Sequence, residues 1–305
     1  MAQFNRKSTA EDVSWGFDLF GKRALVTGAN TGIGKETARV LALRGARVTM
    51  ACRNMEKAEA ARNSILTDTA IAAEQLELLE LDLNSLTKTR KAAEVFNQRN
   101  QPLDLLINNA GIMIPMERRT EDGFEAHLGI NHLAHFLFTN LIIESLKVVE
   151  GARVVVVSSA AMGMATLTPA LEDLNWKERK FSGFRSYGDS KLMNLMFARE
   201  LTKRYADSGI VANALHPGLI GTELARDQSA PFMMMGIFML PWMKSVPRGA
   251  ATSVYVATSE QYADRGGLYF SDSKEAKPHN KLALDDKVCA DLWQRSCELT
   301  GIAVI

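Results

Sequence analysis

The stretch 23–45 most constrains the fold, because a buried strand, a glycine-rich turn and a helix follow one another in it. The apolar residues 23–27 predict the strand, and Gly28, Gly32 and Gly34 come directly after it. The helix that follows carries apolar residues on one face and ends at a further glycine. Glycines in this frame let a pyrophosphate approach the backbone N–H groups at the positive end of a helix. The pattern therefore favours a dinucleotide site over an ordinary glycine-rich turn.

Strands and helices alternate along the chain, which is typical of a parallel sheet with helices on both faces. The run Arg153–Val157 is β-branched and apolar, as a central parallel strand requires. We therefore predict an α/β fold, a single Rossmann-like doubly wound domain with a parallel seven-stranded sheet flanked by helices. The predicted parts are a loosely held N-terminal arm (1–20), the domain (21–270) and a C-terminal extension (271–305) that contains one helix.

Composition and charge exclude several classes of function. The 305 residues have a net charge of +1, so no basic field points to nucleic acid or an anionic membrane as a partner. The three cysteines have neither CxxC nor metal-ligand spacing, which predicts reduced thiols and a cytoplasmic location. The N-terminal residues lack the apolar run of a signal peptide. The most apolar stretch, 231–243, is too short to cross a bilayer, so no membrane span is expected.

A long helix is predicted over residues 122–149, and it contains His127, His132 and His135. Metal binding is one interpretation of three histidines, but no cysteine and no HExxH pattern accompanies them. We therefore expect partly buried structural histidines and predict no metal site. Asn131 lies on the same helix as a polar amide among apolar neighbours. It either satisfies buried backbone groups or belongs to a functional site.

The ends of the predicted strands carry the candidate cofactor contacts. The second strand ends at Cys52 and Arg53, where an acid would bind the ribose hydroxyls of a dinucleotide. Arg53 could instead pair with a 2′-phosphate, which favours NADP over NAD; a solvated surface arginine is the alternative. Asp82 ends the third strand, where its side chain meets the adenine or caps the next helix. The fourth strand ends in Asn109, Ala110 and Gly111, small and amide residues that suit a cofactor crevice.

Tyr187 and Lys191 stand four positions apart, so a helix brings them to one face, one turn from each other. A phenol ordinarily keeps its proton up to a pKa of about 10. A nearby ammonium group favours the phenolate and lowers that pKa. The pair can therefore supply an acid/base near neutral pH. Taken alone, the spacing is better explained by an exposed helical tyrosine and lysine that contact nothing, and the rest of the chain reverses that interpretation.

Several short motifs follow one another along the chain: Thr27-Gly28-x-x-x-Gly32-Ile-Gly34, Asn108-Asn-Ala-Gly111, Asn131, Ser159, Tyr187-x-x-x-Lys191 and Pro217-Gly218. In this order the motifs resemble the short-chain dehydrogenase/reductase family over residues 17–270. The long spacing between Ser159 and Tyr187, together with Arg53, is similar to the branch of retinol dehydrogenases and WW-domain oxidoreductases.

The resemblance implies a role for each catalytic residue. Tyr187 would be the general acid/base, and Lys191 would lower its pKa and hold the nicotinamide ribose. Ser159 would hydrogen-bond the substrate oxygen, and Ser158 is the alternative residue for this role. Asn131 would position Lys191 through water. The implied cofactor-binding residues are Gly28, Asn30, Thr31, Gly32, Ile33, Gly34, Arg53, Asp82, Leu83, Asn109, Ala110, Gly111, Tyr187, Lys191, Pro217, Gly218, Ile220 and Thr222.

We therefore expect an NADP(H)-dependent oxidoreductase that interconverts an alcohol and a ketone or aldehyde. The Met-rich stretch 231–243 stands where the family has its substrate lid, near 219–247, and methionine adapts to irregular partners. This favours a bulky apolar substrate, with a helix packed on the core as the alternative. Two other functions stay open: a non-catalytic NADP-binding scaffold or redox sensor, and a carbon–carbon double-bond reductase. The family implies a homodimer or homotetramer.

Overall fold

A sheet of eight strands organises residues 4–168, 170–220 and 243–303, the parts of the chain that this computed structural model describes. The strand order is β3-β2-β1-β4-β5-β6-β7-β8, and the first seven of these run parallel. The strands are β1 (Arg23–Thr27), β2 (Arg47–Cys52), β3 (Leu76–Glu80), β4 (Leu105–Asn108), β5 (Arg153–Val157), β6 (Val211–His216), β7 (Tyr269–Ser271) and β8 (Lys274–Glu275). The predicted doubly wound α/β fold is confirmed.

The predicted strand count needs one correction, because β8 adds a short antiparallel strand to the seven parallel ones. Two residues, Asp272 and Ser273, join β7 to β8, and both have positive φ (53° and 57°). Positive φ at both central residues is the geometry of a tight hairpin turn whose twist matches the strands. Such turns commonly have asparagine, aspartate or glycine first and glycine second. The Asp-Ser sequence lacks that glycine and therefore gave only a weak signal for the hairpin.

Helices cover both faces of the sheet and produce two large apolar clusters. Buried side chains of α2, α3 and α8 pack on one face, and those of α4, α5, α7 and α9 pack on the other. The helices are α1 (Ala10–Val13), α2 (Gly32–Leu43), α3 (Met55–Asp68), α4 (Leu86–Asn97), α5 (Ala134–Leu141), α6 (Ile143–Lys147), α7 (Gly183–Arg204), α8 (Val246–Thr258) and α9 (Asp286–Thr300). In the described part of the chain, none of them has the length and apolar character to span a membrane.

The strand order determines where a ligand can bind. The chain moves outward from β1 to β2 and β3, then returns to place β4 on the other side of β1. A crevice opens outside the carboxyl ends of the strands at such a switch point. The glycine turn follows β1, the Asn109–Gly111 segment follows β4, and Ser159 follows β5. These motifs therefore share one edge of the sheet.

The N-terminal arm is held more firmly than the sequence indicated. Helix α1 begins with a capping box in which the side chains of Thr9 and Asp12 each accept the other residue's backbone N–H. Ala10 and Val13 are buried in a small apolar cluster with residues of α2 and α8, among them Val254. The expectation of a loosely held arm was wrong because two apolar residues of this short helix are enough to anchor it.

The single long helix predicted over residues 122–149 is interrupted in the structure. A π-helical stretch (His127–Leu133) precedes α5, and Ile142 separates α5 from α6. Single π-helical turns inside helices are uncommon and often occur at functional sites. Here the π-helical stretch carries Asn131, whose side chain bonds to the segment after β4.

The C-terminal extension is an integral part of one face of the fold. Trp293 of α9 is buried, with its ring centroid 4.8 Å from that of Phe136 and 5.9 Å from that of Phe197. The guanidinium of Arg204 lies 4.7 Å from the same ring. Aromatic groups of this size contribute much of the stability of a core.

We predict that Trp293→Ala lowers the free energy of unfolding by about 3–5 kcal/mol, because it leaves a cavity between α5, α7 and α9. Urea denaturation of the purified protein measures the change. Gln294→Ala is the matched control, since Gln294 is the next residue and is exposed. We expect that control to change stability by no more than about 0.5 kcal/mol. Equal small losses in both variants would mean that the extension packs only loosely.

Candidate active site

The glycine turn after β1 leaves room that larger residues would fill. Gly28 and Gly32 have positive φ (67° and 55°), a conformation that favours glycine. A Cβ on Gly34 would fall well inside contact distance of the Gly28 carbonyl oxygen and the Asn109 amide. Thr31 precedes α2 without capping it through its side chain, so the first N–H groups of the helix stay available. The turn therefore fits a pyrophosphate group.

Thr27 ties the end of β1 to the end of β4. Its Oγ1 accepts hydrogen bonds from the backbone N–H groups of Asn109 and Ala110, each at 2.9 Å, and lies 2.9 Å from Nε2 of His135. The Asn109 side-chain amide also donates to the Thr27 carbonyl oxygen at 2.7 Å. These bonds hold the glycine turn and the segment 109–111 as one unit.

The end of β2 has one buried and one exposed residue. The Cys52 thiol is buried and bonds to the backbone N–H groups of Ala29 and Asn30, and burial raises its pKa to about 11. Arg53 is exposed next to the glycine turn, and Asn54 caps α3. The arrangement leaves the Arg53 guanidinium in solvent, where a phosphate could reach it.

Asp82 is engaged in local contacts after β3. Its carboxylate accepts the backbone N–H of Asn84 at 3.1 Å and pairs with Lys88 at 3.2 Å. Ser85, not Asp82, caps α4 through its side chain. Leu83, the other implied residue of this segment, is buried in the core.

Two serines follow β5 and have different roles. The Ser158 hydroxyl is buried and donates to the Lys191 backbone oxygen at 2.5 Å, so it fastens α7 to the sheet. Ser159 is half-buried, accepts the Ala161 backbone N–H at 3.1 Å and hydrogen-bonds Tyr187. Ser159 is therefore the serine that faces the tyrosine hydroxyl.

Tyr187 and Lys191 lie one turn apart on α7, as their spacing predicts, with the Lys191 ammonium 5.6 Å from the tyrosine ring centre. Lys191 is buried and donates to the Val157 carbonyl oxygen at 3.0 Å. Burial lowers the pKa of Lys191 to about 8. Burial also raises the pKa of Tyr187 to about 12, against the hydrogen bond from Ser159, which lowers it. The lowering of the Tyr187 pKa that the sequence predicts from Lys191 is absent, since Ser159 is the group that acts against burial of the phenol.

Asn131 is fully buried, and both the oxygen and the nitrogen of its side-chain amide form hydrogen bonds. Its Oδ1 accepts the Ile112 backbone N–H at 2.8 Å, and its Nδ2 donates to the Ile112 carbonyl oxygen and to Ser190 Oγ, both at 3.0 Å. Ser190 in turn donates to the Tyr187 backbone oxygen at 2.8 Å. Gly111 lies close by, since a Cβ there would be 3.3 Å from the Lys191 nitrogen. Asn131 thus connects the segment after β4 to the helix that carries Tyr187.

The turn after β6 closes the other side of the crevice. Gly218 has a φ of 100°, and a Cβ on it would lie 2.8 Å from carbons of the buried Lys244 side chain. The Lys244 ammonium donates to the Pro217 carbonyl oxygen at 3.3 Å and pairs with Asp272 at 2.5 Å. Ile220 forms a bridge with Lys244. Thr222, and the predicted lid apart from residues 219–220 and 243–247, lie outside the described residues.

Sequence reasoning missed several polar residues that support this site. Lys244 carried no recognisable motif, because its importance comes from the turn it reaches across space. His127 and His135 were noted but assigned only structural roles. His135 Nδ1 lies 3.3 Å from the Asn131 carbonyl oxygen, and burial lowers the pKa of His135 to about 4. A neutral imidazole therefore bridges Thr27 and the backbone of Asn131.

We predict that Lys191→Met raises the free energy of unfolding below pH 8, although it removes an active-site charge. The folded protein releases the Lys191 proton near pH 8 and the unfolded chain near 10.5, so burial of the ammonium destabilises the native state fully below pH 8. Urea denaturation across pH 6–10 measures this. The difference in free energy of unfolding between Lys191→Met and the wild-type protein should shrink as the pH rises from about 8 towards 10. A pH-independent difference between the two proteins would contradict the prediction.

Comparison with known proteins places this geometry in a family. The family model for short chain dehydrogenases matches residues 22–169. Human retinol dehydrogenase 12 is 44% identical over 93% of this chain and 88% of its own length, and human retinol dehydrogenase 13 is 40% identical over 92% and 85%. An uncharacterised protein of Mycobacterium paratuberculosis of known structure is 36% identical, with a TM-score of 0.75, and covers 95% of this chain and 97% of its own. A short-chain dehydrogenase of Burkholderia cenocepacia in complex with NADP is 25% identical, with a TM-score of 0.65. The match covers 83% of this chain and 96% of that protein. The chain therefore belongs to the short-chain dehydrogenase/reductase family of oxidoreductases and is similar to its retinol dehydrogenases.

Proposed function

We propose that the protein is an NADP(H)-dependent oxidoreductase that interconverts an alcohol and a ketone or aldehyde with a bulky apolar body. One observation carries the chemical part of this proposal. The Tyr187 phenol hydrogen-bonds Ser159 at the carboxyl edge of the sheet, with the buried Lys191 one turn away. A proton donor, a second oxygen ligand and a cation thus meet beside the crevice that fits a dinucleotide.

The proposed reaction uses these groups in a fixed order. When bound, the reduced nicotinamide supplies a hydride to the carbonyl carbon of the substrate. Tyr187 gives its proton to the carbonyl oxygen, which becomes the hydroxyl of the alcohol, and Ser159 hydrogen-bonds the same oxygen. Lys191 stabilises the phenolate that is left. In the oxidative direction the proton and hydride move the opposite way.

Arg53 supports the preference for NADP over NAD. It is exposed beside the glycine turn, and the buried Cys52 stands where an acid would disfavour a phosphate. A guanidinium can bind a 2′-phosphate with two parallel hydrogen bonds. The Burkholderia cenocepacia dehydrogenase in complex with NADP is consistent with this preference.

The substrate class is inferred from exposed apolar residues at the carboxyl edge of the sheet. Three large apolar side chains are exposed on the segments that follow β4, β5 and β6. Met116 follows the Asn109–Gly111 segment, Met164 follows Ser159, and Leu219 follows Gly218. Exposed apolar groups gathered in one place often mark a binding site. Retinol, named in the relatives, is itself a bulky apolar alcohol.

The first experiment measures the loss of reduced-nicotinamide absorbance as the cofactor is oxidised. NADPH and NADH are tested in parallel with aldehydes and ketones that range from small to bulky. Turnover with NADPH on bulky apolar carbonyls would support all parts of the proposal. Tight NADPH binding without turnover would favour the non-catalytic scaffold or the double-bond reductase. The cytoplasmic location and a homodimer or homotetramer stay predictions from the sequence.

We predict that Tyr187→Phe lowers kcat by about 10²–10⁴-fold, because the variant has no proton to give to the carbonyl oxygen. The dissociation constant of NADPH, measured by fluorescence titration, should stay within about twofold, since the ring is retained. Tyr255→Phe is the control, because Tyr255 lies on α8 at the opposite face of the sheet. Normal turnover by Tyr187→Phe would refute the mechanism.

We predict that Arg53→Ala raises KM for NADPH by about 10–100-fold and leaves KM for NADH nearly unchanged, because a charge-assisted hydrogen bond contributes about 1.5–3 kcal/mol. Steady-state kinetics with each cofactor measures the ratio. Arg47→Ala is the matched control, since Arg47 is an exposed arginine at the other end of β2. An equal rise for both cofactors would mean that Arg53 does not recognise the phosphate.

A further inference from the structure

A buried acid–imidazole pair, Glu125 and His127, contacts the catalytic helix but takes no part in the reaction proposed above. We propose that His127 is a positioning residue that holds the Tyr187 ring and the segment after β4 in their catalytic arrangement, with Glu125 fixing the imidazole. The inference rests on the proposed function and adds a residue to its site. Both side chains are fully buried.

The hydrogen bonds of His127 define a single protonation state. The Ile114 backbone N–H donates to Nε2 at 3.0 Å, so this nitrogen carries no proton. The proton is therefore on Nδ1, which lies 2.9 Å from the Glu125 carboxylate and 2.7 Å from Ser186 Oγ. A neutral imidazole with this tautomer is the form that satisfies both sides of the ring.

Glu125 supplies the fixed negative partner. Its carboxylate accepts the backbone N–H groups of His127 and Leu128, each at 3.0 Å, as well as the imidazole N–H. Burial acts to raise the pKa of Glu125, but the hydrogen bonds from His127 and Leu128 outweigh it and hold the pKa below its ordinary value. The residue is therefore a carboxylate that orients the imidazole, as second-layer carboxylates do for other functional histidines.

His127 connects three elements around Tyr187. It bonds the segment after β4 through Ile114, begins the π-helical stretch, and reaches α7 through Ser186, the residue before Tyr187. Its ring meets the Tyr187 ring edge-on, with 5.8 Å between the centroids. Gly183 lets α7 approach this segment closely, because a Cβ there would lie 2.5 Å from the Ile114 carbonyl oxygen.

The position of the phenol is sensitive to this contact. The Tyr187 hydroxyl must stay near Ser159 for proton transfer, and displacement of a reacting group by about 1 Å can cost about 10²-fold in rate. His127 lies against one side of the ring, and the Lys191 ammonium lies 5.6 Å from its centre. The imidazole is thus a buried neighbour that restricts movement of the Tyr187 ring.

His132 provides a matched control on the same helical stretch. It is also buried, and its Nε2 lies 2.9 Å from Ser296 Oγ of α9. Its ring packs near Phe136 and Phe197, on the side toward α9. His132 also hydrogen-bonds Asn194, two turns along α7 from Tyr187. We therefore expect replacement of His132 by phenylalanine to remove buried hydrogen bonds while leaving the His127 contact with the Tyr187 ring in place.

The kinetic test compares His127→Phe with His132→Phe in NADPH-dependent reduction of an apolar ketone. We expect His127→Phe to lower kcat by about 10²-fold, with KM for the ketone and the dissociation constant of NADPH within about twofold. His132→Phe should keep kcat while losing similar thermal stability. His127→Gln, which can again accept the Ile114 N–H, should recover part of the rate. Equal kcat in the two phenylalanine variants would overturn the proposal.

A second measurement does not depend on turnover. The chain has five tyrosines, so 3-fluorotyrosine labelling gives five ¹⁹F resonances, and Tyr187→Phe identifies the one from Tyr187. We expect this resonance to move in His127→Phe and to stay in place in His132→Phe. An unmoved resonance would overturn the positioning role. Absence of turnover in the wild-type protein would instead count against the proposed function, while the resonance still tests His127.

Discussion

The buried amide of Asn131 is the interaction on which the candidate active site most depends. It pairs with both backbone groups of Ile112 and also reaches Ser190, so one side chain joins the sheet edge to α7. Leaving such buried groups without partners would cost about 1–3 kcal/mol each. The π-helical turn is part of the same arrangement, because it carries the amide that makes these bonds. Helix α7, and Tyr187 with it, is thereby fixed relative to the glycine turn.

The site also carries a cost in stability. Lys191 is a buried ammonium whose pKa is lowered to about 8, and Tyr187 is a phenol whose pKa burial raises to about 12. Both shifts disfavour charge in the folded protein, although the proposed chemistry passes through charged forms. Near neutral pH the ammonium alone lowers stability, because the phenol is uncharged in the folded and the unfolded state. Catalytic groups are often held in environments that shift their pKa values in this way. The dense hydrogen bonding around Thr27, Asn131 and Glu125 offsets part of this cost, because it satisfies the polar groups that must be buried nearby.

Much of the fold could be predicted from the sequence, but the supporting residues of the site could not. Hydrophobic patterning indicates parallel strands, and the glycine turn after β1 indicates where the crevice lies, because both signals are local. The Asp272-Ser273 hairpin was missed since Ser273 stands where such a turn usually has glycine. The contacts of Lys244 and His127 gave no signal in the sequence for a different reason. Their partners, Pro217 and Ile114, come from segments whose proximity exists only in the folded chain.

The polar residues of the candidate site and the exposed apolar residues near its strand ends depend on the fold in different ways. Polar side chains such as Thr27, Asn131 and Ser158 hydrogen-bond the backbone or one another, so a substitution among them disturbs several partners at once. Met116, Met164 and Leu219 are exposed on the segments that follow β4, β5 and β6, and they are the surface that we propose a substrate meets. Exposed side chains away from such networks can be replaced at little cost in stability. Under the proposed function, the reaction is therefore tied to the fold through the polar residues, while a replacement of the exposed apolar residues leaves the hydrogen bonds of the site in place.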